Sequence, residues 1–371
     1  MADVLGELLA DLRVLVECES PSSDLAAVAR SADVVARVGT ARLGVTPERI
    51  VLDGRTHLRW RLGTGPSRVL LLGHHDTVWP LGSLAAHPFT VEDGVLRGPG
   101  CFDMKAGLVM AFHAAAGLDG VTLLVTGDEE LGSPSSRELI EEEARSAVAA
   151  LVLEASADGG ALKTERKGVS LYEVRVTGRA AHAGLEPEKG VNATLELAHQ
   201  VLAVSALADQ EAGTTVTPTS ARAGTTTNTV PAAGSFAVDV RARTAAEQER
   251  VHRAITALSP VLPGALIEVA GGVNRPPLEA VASAALHQRV RETAQRLGLP
   301  VPGSASVGGA SDGNFTAGVG TPTLDGLGAV GGGAHAADEH VLVDELVGRT
   351  ALLRALVEEL VAHDRPLTRT S

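Results

Sequence analysis

Three apolar runs that each end in carboxylates or imidazoles constrain this chain most. They are VLLLGHHDT at 69–77, VTLLVTGDEE at 121–130 and ALVLEA at 150–155. A short run that is apolar throughout and charged only at its far end reads as a strand buried on both faces. A helix pattern, KAGLVMAFHAAAGL at 105–118, lies between the first two. Strands alternating with helices predict a parallel α/β sheet. Ligands bind such sheets beyond the carboxyl ends of the strands, where all three runs place their polar residues.

The pattern changes near Gly168. VSLYEVRVTG (169–178) alternates, as a half-exposed strand does. Helical spacing follows at 191–208, alternating strands at 215–225 and 234–244, a helix at 245–258 and a strand at 265–272. The order β-α-β-β-α-β is that of a ferredoxin-like α+β unit. The chain therefore reads as a discontinuous domain, 1–168 and 276–371, with a smaller one inserted at 169–275. Further helices are expected at 2–18, 278–297 and 343–363, and the polar tail after His363 is expected to fray.

Composition narrows the function classes. Thirty-two basic residues against 45 acidic ones give a net charge of -13, and no Lys/Arg-rich stretch is present. Nucleic acid is thus not an expected partner. No segment has the roughly 20 apolar residues needed to cross a bilayer, and the acidic, amphipathic start lacks the basic residues and continuous apolar core expected of a signal peptide. Cys18 and Cys101 have no Cys or His at zinc-finger spacing and read as free thiols. A cytoplasmic protein without a membrane partner is expected.

Five segments carry candidate chemistry. In GHHDTV (73–78), His74 ends a strand and Asp76 follows two residues on, on the same side. A carboxylate behind an imidazole is the usual support of a zinc-bound histidine, and His75 is the competing ligand. In GPGCFDMKAG (98–107), Asp103 suits a metal site or a helix N-cap. TGDEELGS (126–133) stacks three carboxylates, which repel unless compensated. Two divalent cations would compensate them, with one of Glu129 and Glu130 binding metal and the other taking a proton from water. Glu154 sits in an apolar strand, where an unpaired carboxylate is costly. His335 follows three glycines in GGGAHAADEH (331–340), with His340 as competitor. His113, within the 105–118 helix, reads as structural.

Together and in this order, these segments resemble the metal-dependent acetylornithine deacetylase, succinyl-diaminopimelate desuccinylase, aminoacylase and glutamate carboxypeptidase family of the zinc-exopeptidase clan. The glutamate carboxypeptidase type is the most similar branch, and the likeness runs from about Asp24 to the last helix. It implies a zinc-exopeptidase-like mixed sheet flanked by helices, with the inserted unit as lid and dimerisation domain. It implies that His74 and Glu154 hold one zinc, Glu130 and His335 a second, and that Asp103 bridges them. Cobalt and manganese suit the same ligands. Asp76 would orient His74 and Glu129 would be the general base. A cis peptide is implied at Asp103–Met104, where many relatives carry a second Asp in place of Met104.

The resemblance extends to GRAAHAGLEPEKGVNA (178–193), whose His182 would reach the partner subunit's site in a homodimer and polarise the substrate carbonyl. Asn228 in NTVP, Arg275 in VNRPPLE, and Gly309, Ser311 and Asp312 in GGASDG would contact substrate. Arginine suits a carboxylate because its planar fork binds both oxygens. The implied activity is amide hydrolysis on a small peptide or N-acyl amino acid with a free carboxylate. It would release a C-terminal amino acid or remove an acyl group. A biosynthetic deacylase, a dipeptidase and a metal-free binding relative are the alternatives. ALKTERKG (161–168) departs from the glutamate-specific members and leaves glutamate preference open.

Overall fold

The computed structural model describes residues 2–362, and the expected frayed tail lies outside them. Contacts divide the chain into two compact units. One comprises the described residues up to Glu165, Leu278–Val307 and those from Ser311 onward. The other comprises Arg166–Pro277 and Gly308–Ala310.

The first unit is built on a mixed sheet. Its strands are β1 (Glu48–Leu52), β2 (Arg55–Leu62), β3 (Val69–His74), β4 (Val121–Thr126) and β5 (Ala149–Val152), with a short strand at Thr323–Leu324. Their order is β1-β2-β4-β3-β5-Thr323. The four strands from β4 onward run parallel, as expected of βαβ connections. The β1–β2 hairpin is antiparallel, so the sheet is mixed, as the family resemblance implies, rather than wholly parallel, as the apolar runs alone suggest.

The apolar runs are continuous because both sheet faces are covered. Val69, Leu71, Leu123 and Leu151 pack in one core with Leu8, Val35, Phe112 and Leu353 from helices Ala2–Val16, Leu25–Leu43, Ala106–Ala115 and Val343–Ala362. Leu70, Leu72, Leu124 and Val152 face the other side, against Leu139, Ile140 and Phe315. Alternate residues of one strand thus serve two cores.

The second unit runs β6 (Gly168–Thr177), helix Ala193–Ser205, β7 (Thr215–Ala223), β8 (Ala233–Ala242), helix Ala245–Thr256 and β9 (Leu266–Arg275). Its antiparallel sheet has the order β7-β8-β6-β9. Tyr172, Val174, Val176, Phe236, Val238 and Val240 bury one face against Leu197, Val204, Val251 and Ile255 of the helices. The opposite face carries charge, which accounts for the alternation. No helix among the described residues is long and apolar enough to cross a membrane.

Candidate active site

Strand register brings the first ligands together. His74 is the last residue of β3 and lies opposite Thr126 of β4. Leu72 lies opposite Val152 of β5, so Glu154, two residues further, is level with His74. Two glycines press on the chain there: a Cβ at Gly107 would lie 2.0 Å from the Leu153 carbonyl oxygen, and one at Gly328 2.3 Å from it. Only glycine permits such close backbone approach.

Asp103 sits in an irregular turn, Cys101–Lys105, with the Asp103–Met104 peptide cis. Met104 turns into the core, and its sulfur accepts the His74 N–H at 3.3 Å. The turn's buried N–H groups need acceptors, and Glu339 supplies them. Its Oε1 accepts from Phe102 N at 2.9 Å and Asp103 N at 3.0 Å. Its Oε2 accepts from Gly100 N at 3.0 Å and the Trp79 indole at 2.6 Å. Glu339 was not singled out from the sequence, although it lies four residues beyond His335.

The two oxygens of Asp103 face two different histidines. Oδ1 is 3.3 Å from His74 Nε2, and Oδ2 is 3.3 Å from His335 Nε2. Glu154 Oε1 lies 3.4 Å from His74 Nε2, and Glu130 Oε2 lies 3.3 Å from His335 Nε2. Glu129 also belongs here, its carboxylate within 4.8 Å of the ligand atoms of His74 and Glu154. His335 adopts φ 65, unusual for a residue with a side chain and typical of functional sites.

The electrostatics demand cations. Four carboxylates (Asp103, Glu129, Glu130, Glu154) surround two imidazoles, so charge stays negative even with both imidazoles protonated. The Asp103 and Glu130 carboxylates push His335 up to about 10. Burial alone would lower His74, but Asp103, Asp76 and Glu154 outweigh it and lift the imidazole well above its usual range. Burial would raise Asp103, yet His335 and His74 hold it well below the carboxylate range. Three buried atoms, His74 Nε2, Asp103 Oδ1 and Glu130 Oε1, make no hydrogen bond. Orphaned atoms of this kind, all imidazole nitrogen or carboxylate oxygen, match the donor set of a divalent transition metal.

The surrounding acids have other tasks. His74 Nδ1 bonds the Asp76 backbone carbonyl at 2.9 Å, while the Asp76 carboxylate stands 3.5 Å away. That carboxylate instead accepts from Glu129 N and Glu130 N, each at 3.2 Å, and from Ser22 Oγ at 2.6 Å. Asp76 thereby ties the His74 strand end to the Glu129–Glu130 turn. Asp128 accepts from Ser135 N, Ser135 Oγ and Ser136 Oγ. Of the competing histidines, His75 is buried against Ser31 Oγ and the Thr56 carbonyl, and burial pushes it down to about 4. His340 bonds the Asp338 carbonyl through Nδ1. His113 pairs with Asp11 at 2.9 Å.

Ser311 and Asp312 also lie in the first unit, and their side chains bond inward. Ser311 Oγ donates to Asp325 at 2.6 Å, and Asp312 accepts from Thr126 at 3.2 Å and from Ser133. The remaining expected residues belong to the second unit. His182 and Asn228 are exposed on adjacent, hydrogen-bonded segments: Ala183 N donates to the Asn228 carbonyl at 2.9 Å. Gly184 N donates to His182 Nδ1 at 3.2 Å, so the neutral imidazole carries its proton on Nε2. Arg275 is buried at the end of β9. In ALKTERKG, Leu162–Arg166 is a strand, and buried Arg166 donates to the Gly309 carbonyl at 3.1 Å.

Comparison with known proteins finds relatives of this chain. The profile of peptidase family M20/M25/M40 matches residues 70–359. Carboxypeptidase G2 of Pseudomonas sp. (strain RS-16) is 31% identical over 300 residues, 76% of this chain and 71% of that protein. Aminopeptidase PepT of Bacillus cereus shares the fold with a TM-score of 0.74 at 22% identity, over 96% of this chain and 99% of its own. The YXEP protein of Bacillus subtilis, described as a dinuclear metal-binding peptidase, gives 0.67 at 16% identity, over 97% and 99%.

Proposed function

The chain belongs to peptidase family M20/M25/M40 and is a hydrolase of peptide or amide bonds, and from that premise we propose a two-metal exopeptidase or deacylase. Its substrate is a small peptide or N-acyl amino acid with a free carboxylate. One observation carries the reading: Asp103 presents one oxygen to His74 and the other to His335, each at 3.3 Å. His74 and Glu154 would hold one divalent ion and His335 and Glu130 the other, with Asp103 shared. Zinc is the expected metal, and cobalt or manganese suits the same donors. Bound there, the pair supplies Lewis acidity and lowers the pKa of water.

This chain's own residues do the rest. Glu129 accepts the proton of the attacking water and passes it to the departing amine. Asp76 holds the Glu129 backbone in place for that task. His182 offers its Nε2–H to the substrate carbonyl as negative charge develops there. In this reading the exposed His182 serves a partner's site, so the enzyme works as a cytoplasmic homodimer through the second unit. By the family resemblance, Arg275 would receive the substrate carboxylate, and Asn228 and Gly309 would be further substrate contacts. Ser311 and Asp312, whose side chains bond inward, anchor their segment rather than touch substrate.

Glu129→Gln keeps the shape and removes the base. Turnover of N-acyl amino acids and dipeptides is expected to fall by about 10²–10⁴-fold with metal content unchanged. An active E129Q enzyme sinks the assignment. The same panel separates carboxypeptidase from deacylase and dipeptidase activity.

A further inference from the structure

Glu339 is a buried carboxylate beside the metal cluster whose hydrogen bonds reach across several ligand-bearing segments, as those of Asp76 do on the side of the Glu129–Glu130 turn. It accepts four N–H donors, two on each oxygen. Three come from the Gly100–Asp103 turn, one of them from Asp103 itself. The fourth is the indole of Trp79, in the loop that leaves His74. Glu339 lies in the same loop as His335. One carboxylate thus joins the segments that carry His74, Asp103 and His335.

The chemistry of these bonds is restrictive. All four partners donate and none accepts, so both oxygens must act as acceptors. The turn is irregular, and its N–H groups at Gly100, Phe102 and Asp103 are directed to this carboxylate. A run of backbone N–H groups converging on one anion is a nest, held by charge as much as by shape. Glutamine keeps the volume of the side chain but turns a donor toward two of the four N–H groups. The Asp103 turn is then free to move relative to His335.

We propose that Glu339 is a positioning residue for the metal pair. Through its charge it sets the place of Asp103 against His335, and so controls occupancy of the ion held by His335 and Glu130. Glu339 touches neither substrate nor metal. The inference rests on the two-metal reading above.

Cobalt binding to apo-protein tests it without activity as the sole readout. Wild type is expected to bind two Co²⁺ per chain with a defined visible spectrum. Fewer than two in wild type sinks the two-metal reading itself, whatever the variants do. In E339Q, one ion is expected to remain tight and the second to weaken by roughly 10–100-fold, the usual loss when a group supporting a ligand is removed. Its ligand-field bands are expected to shift, and kcat to fall with KM nearly unchanged. Trp79→Phe removes one donor, leaves three, and is expected to weaken the second ion several-fold with an unchanged melting temperature. W79F also keeps the test decisive if E339Q does not fold. The proposal is overturned if E339Q binds both ions with wild-type affinity and spectrum. It is equally overturned if E339Q does not fold and W79F binds cobalt as wild type does.

Discussion

Replacing Gly107 with alanine sets two opposed effects on one residue. Gly107 lies in the Ala106–Ala115 helix, outside the left-handed region, so alanine suits its backbone. On helix propensity alone the change stabilises by about 1 kcal/mol. Sterics oppose it. The new Cβ would lie 2.0 Å from the Leu153 oxygen, where real Cβ contacts essentially never fall below 3.0 Å. Helix and strand must part by about 1 Å, because close-packed interiors do not absorb the overlap. Such overpacking costs about 1–3 kcal/mol, and a full 1 Å overlap with backbone belongs at the upper end of that range, so after the propensity gain a net loss of about 1–2 kcal/mol is expected and melting falls by a few degrees, at about 2–4 °C per kcal/mol. The larger effect is on function. Glu154 follows Leu153 directly, and the Asp103 turn precedes the helix, so the displacement falls on two proposed ligands. A 1 Å misplacement costs on the order of 10²-fold in rate. Thermal melts, metal content and kcat measure the two effects separately. Gly6→Ala is the control: nothing lies within 4 Å of its Cβ, and a gain of about 0.5–1 kcal/mol is expected. G107A with wild-type melting and turnover would refute the claim that Leu153 and the helix cannot separate.

Chelation is expected to abolish turnover and lower the melting temperature, because a ligand at 100 times its Kd stabilises by about 2.7 kcal/mol. Added Zn²⁺ or Co²⁺ restores both, and a melt and activity indifferent to chelator count against the metal pair. Glu359 joins two helices through Arg289 at 2.7 Å and Arg296 at 3.1 Å. Burial would raise its carboxyl, but the two guanidinium groups outweigh this and hold it below the usual 4.5. A lowered folded-state value stabilises fully above about 4.5 and is lost as pH falls through the folded value. Glu359→Gln should cost about 1 kcal/mol at neutral pH, with the gap to wild type closing in acid. Urea melts across pH 2–7 would expose a gap that stays constant instead.

Much of the fold was legible because burial on both sheet faces writes itself as unbroken apolar runs. β3, β4 and β5 were readable for that reason, whereas the β-α-β-β-α-β order of the second unit was readable from strands that alternate because only one sheet face is buried. The β1–β2 hairpin was missed because β1 is exposed and ERIVL shows no clean alternation. Its turn was nonetheless marked by Asp53-Gly54, both at positive φ, the dipeptide that two-residue hairpins prefer. Helix Leu25–Leu43 also carries sequence signals at both ends, since Asp24 caps it and Gly44 ends it in the left-handed conformation.

The roles of individual acids were harder to read, and the reason is physical. In Asp128-Glu129-Glu130 three adjacent carboxylates look alike, and their tasks are assigned by donors that arrive from elsewhere. Asp128 is met by Ser135 and Ser136, and so fixes the turn. Asp76 is met by the N–H groups of Glu129 and Glu130, so its carboxylate supports the turn more than His74. Glu339 is met by four N–H groups and is wholly occupied by them. Asp103 Oδ1 and Glu130 Oε1 are buried and met by none. An acid whose oxygens are both taken up by N–H groups has no acceptor position left for an ion and is left to hold structure. An acid with a buried oxygen that no N–H meets keeps that oxygen for an ion. His335 and Glu339, four residues apart in one loop, divide along that line, and only the donors brought by folding distinguish the support from the ligand.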